Sequence, residues 1–275
     1  MDSVGEEIKL VHKQWKIDFD EIGSIWYRRP KFPDLAGIEM DEVDREFARR
    51  EISEFYFDLW FMLREKQWID HPHDLSIAER KPLQLRLAKR VGLSTPQTLI
   101  SNSHSEVIDF CNLHKNMVIA KPLSHGAYGE HDSHAIFTEP VSISNLTNFQ
   151  RDVEISPFIL QRRIQINSEV RLVYIGGNIF AYNIISKKSH ETVDWRRLPP
   201  AELTYQRTEV PPDVVRKIHE YMARFNLKFG AFDFIVDQDN QWVFIEINPS
   251  GQFAWLELAT GDPLIDSLLN CLSSS

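Results

Sequence analysis

Residues 230 to 252 read GAFDFIVDQDNQWVFIEINPSGQ, two runs of strand-forming residues around a polar turn, each run carrying a carboxylate among large apolar side chains. We read the turn as a two-residue loop, Asp239 and Asn240, of the kind that favours Asn and Asp at its centre. Gln238 then opposes Gln241, Val236 opposes Val243, Phe234 opposes Ile245, and Asp233 lands opposite Glu246. Like charges facing each other destabilise a strand pair, and half-buried ones cost more unless neutralised. The side-chain period of two also puts Asn248 on the face of Glu246. Two carboxylates and an amide oxygen converging on one point suit Mg²⁺, which takes one or two carboxylates and completes its shell with phosphate oxygens and water. A protonated carboxyl, or an arginine bridging both, would also account for the pair, and a different loop length would break the alignment.

The elements that must position this hairpin are interspersed helices and strands. Residues 22–33 (IGSIWYRRPKFP) read as a short strand stopped by prolines. Over 41–64 the apolar Val43, Phe47, Ile52, Phe55, Leu59 and Leu63 recur at helical spacing and predict a long amphipathic helix. Residues 81–100 put Pro82 in a first helical turn and Gly92 at its stop, with a strand from Thr98. A helix around 104–114 precedes a strand ending at Lys121, a loop bearing Gly126 and Gly129, and another strand. Residues 158–185 read as strands, with Gly176 and Gly177 turning a tight hairpin. A helix over 211–230 leads into the hairpin and a short helix closes the chain. With antiparallel hairpins prominent, the class is α+β.

The chain has 275 residues, 43% of them hydrophobic and 11% aromatic, enough for a substantial core. A net charge of −9 argues against general nucleic-acid binding, which needs a basic face. Cys111 and Cys271 match no metal-ligand spacing and read as idle thiols in a reducing compartment. No apolar run approaches the ~18 residues that cross a bilayer. The acidic start, MDSVGEEIKL, lacks the apolar stretch of a signal peptide, so we expect a cytoplasmic protein.

Asp233 followed by Glu-Ile-Asn at 246–248 resembles the metal-binding signature of the ATP-grasp ligases, and the chain resembles that superfamily in order over roughly residues 22–270. IWYRRP (25–30), LQLRLAKRVGLSTPQTLISN (83–102), VDWR (193–196) and EINPSGQFAWLE (246–257) look like one branch, the graspetide synthetases, or microviridin-type peptide macrocyclases. The resemblance implies an ATP-grasp fold, two α/β subdomains clasping a nucleotide, and ATP and Mg²⁺ as cofactors. It divides the chain into a shortened pre-ATP-grasp region and long helix (1–75), a central subdomain with the phosphate-covering loop (76–155) and a C-terminal subdomain with the metal site (156–275). The first region is expected to be short because residues 1–24 are fewer than the roughly 30 of a βαβ unit.

The resemblance assigns Asp233, Glu246 and Asn248 to metal, and Lys81, Lys121 and Arg171 to phosphate charge and so to catalysis. Gly126 and Gly129 sit in the loop that would cover the phosphates. Gln161 offers a side chain or carbonyl to adenine, Arg162, Arg163 and Ile164 supply backbone contacts and an apolar wall, and Glu169 takes a ribose hydroxyl. Without it, Lys81 reads as a solvated lysine, LQRRIQ (160–165) as a core strand, and Glu169 with Arg171 as a structural ion pair. His125, His131 and His134 invite zinc but lack a fourth ligand. Strand alternation sends Arg28 and Arg29 to opposite faces, so at most one meets ligand. The basic stretch 187–197 could receive a carboxylate or peptide, and Gly251 would let backbone approach an acyl phosphate.

The chemistry implied is ATP-dependent activation of a carboxylate, then displacement of phosphate by a hydroxyl or amine. In this branch both groups belong to side chains of one ribosomally made precursor peptide, bound through its leader, with a homodimer open. Two alternatives remain: an amino-acid ligase of the RimK type, and a non-catalytic nucleotide-binding partner protein.

Overall fold

The computed structural model describes residues 9–12, 14–124, 127–128, 134–135, 138–141, 143, 150–186 and 198–273. In chain order the elements are β1 (Lys9–His12), β2 (Trp15–Asp18), β3 (Ser24–Trp26), α1 (Glu42–Met62), β4 (Gln67–Ile69), α2 (Pro72–Ala78), α3 (Lys81–Arg90), β5 (Thr98–Ser101) and α4 (His104–Leu113). There follow β6 (Val118–Lys121), β7 (Ala127–Tyr128), β8 (His134–Ala135), β9 (Glu139–Val141), α5 (Gln150–Ile155), β10 (Phe158–Arg162), β11 (Ile166–Ile175) and β12 (Asn178–Ser186). The chain continues through β13 (Leu203–Arg207), α6 (Pro212–Arg224), β14 (Phe229–Asp237), β15 (Trp242–Asn248), α7 (Ala254–Thr260) and α8 (Leu264–Ser273).

Two antiparallel sheets carry the molecule. The larger has the order β13-β12-β11-β14-β15, the smaller β5-β10-β6-β9. Alternation in β11 sorts Val170 and Leu172 to one face and Glu169, Arg171, Val173 and Ile175 to the other. The first face packs on α3 and α6 through Leu85, Ala88, Ile218, Tyr221 and Met222. On the second, Val173 and Ile175 meet Phe253, Leu256, Leu264 and Leu268 around α7 and α8. Of the polar residues on that face, Glu169 lines a cleft towards the smaller sheet and Arg171 lines a cavity beside Trp255. That sheet has its own core, Val107 and Cys111 of α4 against Val118, Val153 and Leu160. The chain enters and leaves it side by side, where the Arg162 amide donates to the Gln97 carbonyl at 2.9 Å.

The expected β11–β12 turn is present, with Gly176 and Gly177 at φ +55° and +98°, values that suit glycine. Gly92, at φ +83°, stops α3 as expected. The long helix also forms, capped by the Asp41 side chain accepting from the Asp44 amide. Its burial differs from expectation. No residue of α1 is buried, and Val43, Phe47 and Phe55 are 78%, 61% and 53% exposed. Helical spacing shows which side of a helix is apolar, not whether the fold lays a neighbour on it.

Periodicity did not mark the short elements β4, α2, β13 and α7. β3 and β4 pair in parallel, Ile25 beside Trp68, so α1 is the crossover of a β–α–β unit within residues 24–69.

The hairpin register is a correction. Its loop holds three residues, 238–240: the Asp237 amide donates to the Gln241 carbonyl, and Asn240 sits at φ +59°. Val236 therefore pairs with Trp242 and Phe234 with Phe244, one residue off the expectation. A β-bulge at Ile245 then restores the phase, and Asp233 does face Glu246.

Candidate active site

β14 and β15 bring Asp233 and Glu246 together as direct partners, and Asn248 follows on the same side of β15. Asn248 Nδ2 lies 3.5 Å from Asp233 Oδ2. From the neighbouring β11, Arg171 stands opposite Asp233 and donates through Nη1 to its Oδ1 at 2.8 Å. Both side chains are largely buried, 8% and 13% exposed, so the pair offsets charge that would otherwise face an apolar interior. Nη2 of Arg171 reaches the Gln252 carbonyl at 3.3 Å, while its Nε is buried with no hydrogen-bond partner among the described residues.

The strand bearing Glu246 and Asn248 is fixed from α3. Gln84 is 3% exposed and donates through Nε2 to the carbonyls of Ala78 (2.7 Å) and Ile247 (2.9 Å), while its Oε1 accepts from the Ile247 amide (3.2 Å). The Ser94 carbonyl adds a bond from the Phe244 amide at 2.8 Å. After β15 the chain turns at Gly251, where a Cβ would come within 2.7 Å of Ala231 Cβ and 2.9 Å of Arg171 Nη2. Only hydrogen fits there.

A cleft between the two sheets opens onto this cluster. Its walls include Lys121, Gln161, Arg162, Ile164, Glu169 and Asp233. Gln161 donates through Nε2 to Thr98 Oγ1 at 3.2 Å, and its Oε1 is buried without a hydrogen-bond partner among the described residues. A buried orphan acceptor in a cleft can take an amino group. Beside it, the amides of Arg162 and Arg163 are committed to the carbonyls of Gln97 and Met117. Arg163 is not among the residues lining the cleft.

Lys81 opens α3 as expected, but its Nζ donates to the carbonyls of Pro122 (2.8 Å) and Ser124 (3.0 Å). It braces the start of the loop after β6 and is not among the cleft-lining residues. Gly126, Gly129, His125, His131 and the stretch 187–197 lie outside the described residues, as does the side chain of His134.

On the other side of Arg171 a second cavity, about 820 Å³, is lined by Arg29, Asn248, Gly251, Tyr205 and Trp255. The two aromatic rings lie 4.5 Å apart. Behind them Asp262 accepts from Tyr182 Oη (2.7 Å) and Arg207 Nη1 (2.9 Å), two bonds that hold its carboxyl below the usual range. Alternation does not describe the two arginines of WYRRP, because β3 ends at Trp26. Arg28 Nη1 donates to the Ser250 carbonyl at 2.8 Å, and burial pulls its guanidinium below its ordinary value. Arg29 turns to φ +45°, a backbone state uncommon outside glycine, and joins the cavity wall. Sequence patterning missed Gln84 and the Tyr205–Trp255 wall. An isolated Gln in an amphipathic helix carries no signal of its own, and the two aromatics lie far apart in the chain.

Chemically, the cluster offers hard oxygen donors, a paired arginine and a glycine that admits a ligand close to the backbone. That donor set fits Mg²⁺ and phosphate oxygens.

No protein-family model matches the chain, and no curated protein matches it. Solved structures do. The macrocyclase MdnC of Microcystis aeruginosa, bound with its precursor peptide MdnA, is 26% identical with a TM-score of 0.83, the match covering 100% of this chain and 86% of that one. A RiPP-associated ATP-grasp ligase of Chryseobacterium gregarium, in complex with ADP and a leader and core peptide, is 27% identical with a TM-score of 0.85, covering 96% and 80%. The macrocyclase MdnB of Microcystis aeruginosa is 26% identical, with a TM-score of 0.78 and coverage of 100% and 85%. The chain has the ATP-grasp fold, and the structures it matches over nearly its whole length are the peptide-modifying ATP-grasp ligases that its motifs resemble.

Proposed function

We propose that the protein is an ATP-dependent carboxylate ligase that forms side-chain ester or amide rings in a ribosomally made precursor peptide. The observation that carries this is one continuous site: a cleft between sheets, the Asp233–Glu246–Asn248 cluster with Arg171, and a cavity walled by Arg29 on its far side.

A carboxylate resists direct substitution because oxide is a hopeless leaving group. Its oxygen attacks the γ-phosphorus of ATP, the bond to the ADP oxygen breaks, and an acyl phosphate forms. A hydroxyl or amine of the peptide then attacks the acyl carbon and phosphate leaves with the bonding pair, the nucleophile losing its proton. The protein's share is positioning and charge. In this reading Gln161 receives the base amino group through its orphan Oε1, Ile164 walls the base, and Glu169 takes a ribose hydroxyl. Lys121 and Arg171 offset phosphate charge, and Lys81 acts one step removed, by bracing the loop after β6. Asp233, Glu246 and Asn248 would hold Mg²⁺, which supplies charge neutralisation to the phosphates. Arg29 receives the substrate carboxylate in the second cavity, and Gly251 leaves room there for an acyl phosphate.

The test is incubation with Mg·ATP, free glutamate and a candidate precursor peptide, followed by mass. Loss of one water per ring, abolished in Glu246→Gln, is expected. A mass gain of one amino-acid residue would point to a RimK-type ligase instead. A wild-type protein that binds no nucleotide in the presence of Mg²⁺ would sink the reading.

A further inference from the structure

Next to the Arg29 cavity runs a groove of about 440 Å³ whose walls carry five aromatic side chains, Tyr27, Phe32, Phe57, Trp60 and Phe61. The rings meet edge to face, Tyr27 on Trp60 at 5.2 Å and Phe57 on Trp60 at 5.2 Å, so the walls are packed against each other rather than splayed. They are nevertheless open: Phe32, Phe57 and Phe61 are each about half exposed. A contiguous apolar surface of this kind marks a place where something docks.

The groove is continuous with the site. Arg29 lines both it and the cavity at Asn248, and Ser250 lies at its inner end. The Arg28–Ser250 bond fixes that junction, and the left-handed backbone at Arg29 turns its side chain there. A molecule whose carboxylate rests at Arg29 therefore has the groove as its next surface, and a peptide is long enough to use both.

We propose that the groove is a second substrate subsite, taking an aromatic side chain of the same peptide whose acid enters at Arg29. This rests on the ligase reading above. The subsite adds ground-state binding remote from the reacting atoms, so it acts on KM and leaves the metal site alone.

The probe is a set of paired synthetic peptides, each with one Glu, and with Phe or Ser at one other position stepped along the chain. Hydroxylamine serves as acceptor: its nitrogen displaces phosphate from the acyl phosphate and leaves a hydroxamate. For at least one spacing, Phe should lower KM about tenfold to a hundredfold relative to Ser. The double variant Phe57→Ser, Phe61→Ser should erase that difference with kcat and Mg·ATP affinity unchanged. Both residues are exposed, so their loss opens no buried void. Equal KM values for every pair, or a difference that survives in the variant, would overturn the subsite and leave the ligase reading standing. A dimer that becomes monomeric in the variant would give the face to a second copy and overturn it too. Nucleotide binding without hydroxamate from any peptide would overturn the ligase reading and the subsite together.

Discussion

The Gln84 carboxamide holds both backbone groups of Ile247, donating to its carbonyl at 2.9 Å and accepting from its amide at 3.2 Å. Ile247 lies between Glu246 and Asn248, so one side chain of α3 sets the height and tilt of both. Gln84→Leu would leave the Ile247 amide and the carbonyls of Ile247 and Ala78 without this partner, each costing about 1–3 kcal/mol. We expect Mg²⁺-dependent ATP binding to weaken tenfold or more while metal-free ATP binding changes far less. Calorimetric titration of ATP with and without Mg²⁺ measures both.

The two facing carboxylates are unequal. Asp233 is the partner of Arg171, whose side chain is only 8% exposed. Asp233→Ala strands that guanidinium and should cost about 3–5 kcal/mol in urea unfolding of the nucleotide-free protein. Glu246→Ala removes the carboxylate facing Asp233 and should abolish turnover as fully. An Asp233→Ala protein as stable as the wild type would contradict the pairing.

Asp70 is buried where β4 meets β14, accepting the amides of Lys228 (2.6 Å) and Phe229 (3.0 Å). Burial pushes its carboxyl from 3.8 up to about 7, against the pull of those amides. Between those values the unfolded chain has lost the proton and the folded one keeps it. The unfolded state then binds fewer protons, so stability falls as pH rises from about 4 to about 7 and is level above, by on the order of 4 kcal/mol. Asp70→Asn should remove this slope, at a fixed cost from losing one amide acceptor. Urea unfolding at pH 5 and pH 8 compares the two proteins.

Gly251→Ala puts a methyl against Ala231 Cβ, Arg171 Nη2 and the Asn248 carbonyl, all within 3.0 Å. The expected result is a fall in kcat of roughly tenfold to a hundredfold with ATP affinity retained, since a small displacement at reacting groups is enough. Steady-state kinetics at saturating ATP reads it.

What the sequence made legible was local chemistry, and what it hid was company. Asp233 opposite Glu246 was expected from a two-residue turn, yet the turn has three residues and Ile245 bulges. Two errors of one residue cancelled. The Asp237 side chain, which accepts the amides of Asp239 and Gln241, is the local signal of the longer turn. The spacing of apolar residues specifies helix α1, but its exposed aromatic face follows from which neighbours the fold supplies. Lys81 was placed at a helix start by Pro82, and only packing shows that its ammonium lies on the carbonyls of residues 122 and 124. Gln84 was invisible because its partner stands 163 residues away.

The chain enters and leaves the smaller sheet through two adjoining strands, tied to each other where Arg162 meets Gln97, and the Lys81 side chain adds a second link to the residues just after Lys121. That backbone tie is where a pivot would lie. Gln161 sits next to it, while Lys121, which pairs with Ile159, stands farther along β10, by roughly 7 Å at about 3.4 Å per residue. A rotation of the sheet over its neighbour therefore carries Lys121 through the longer arc and leaves Gln161 nearly still. Under the proposed function, the cleft would be a jaw hinged at the end that takes the base, with its travel at the end that takes the phosphates.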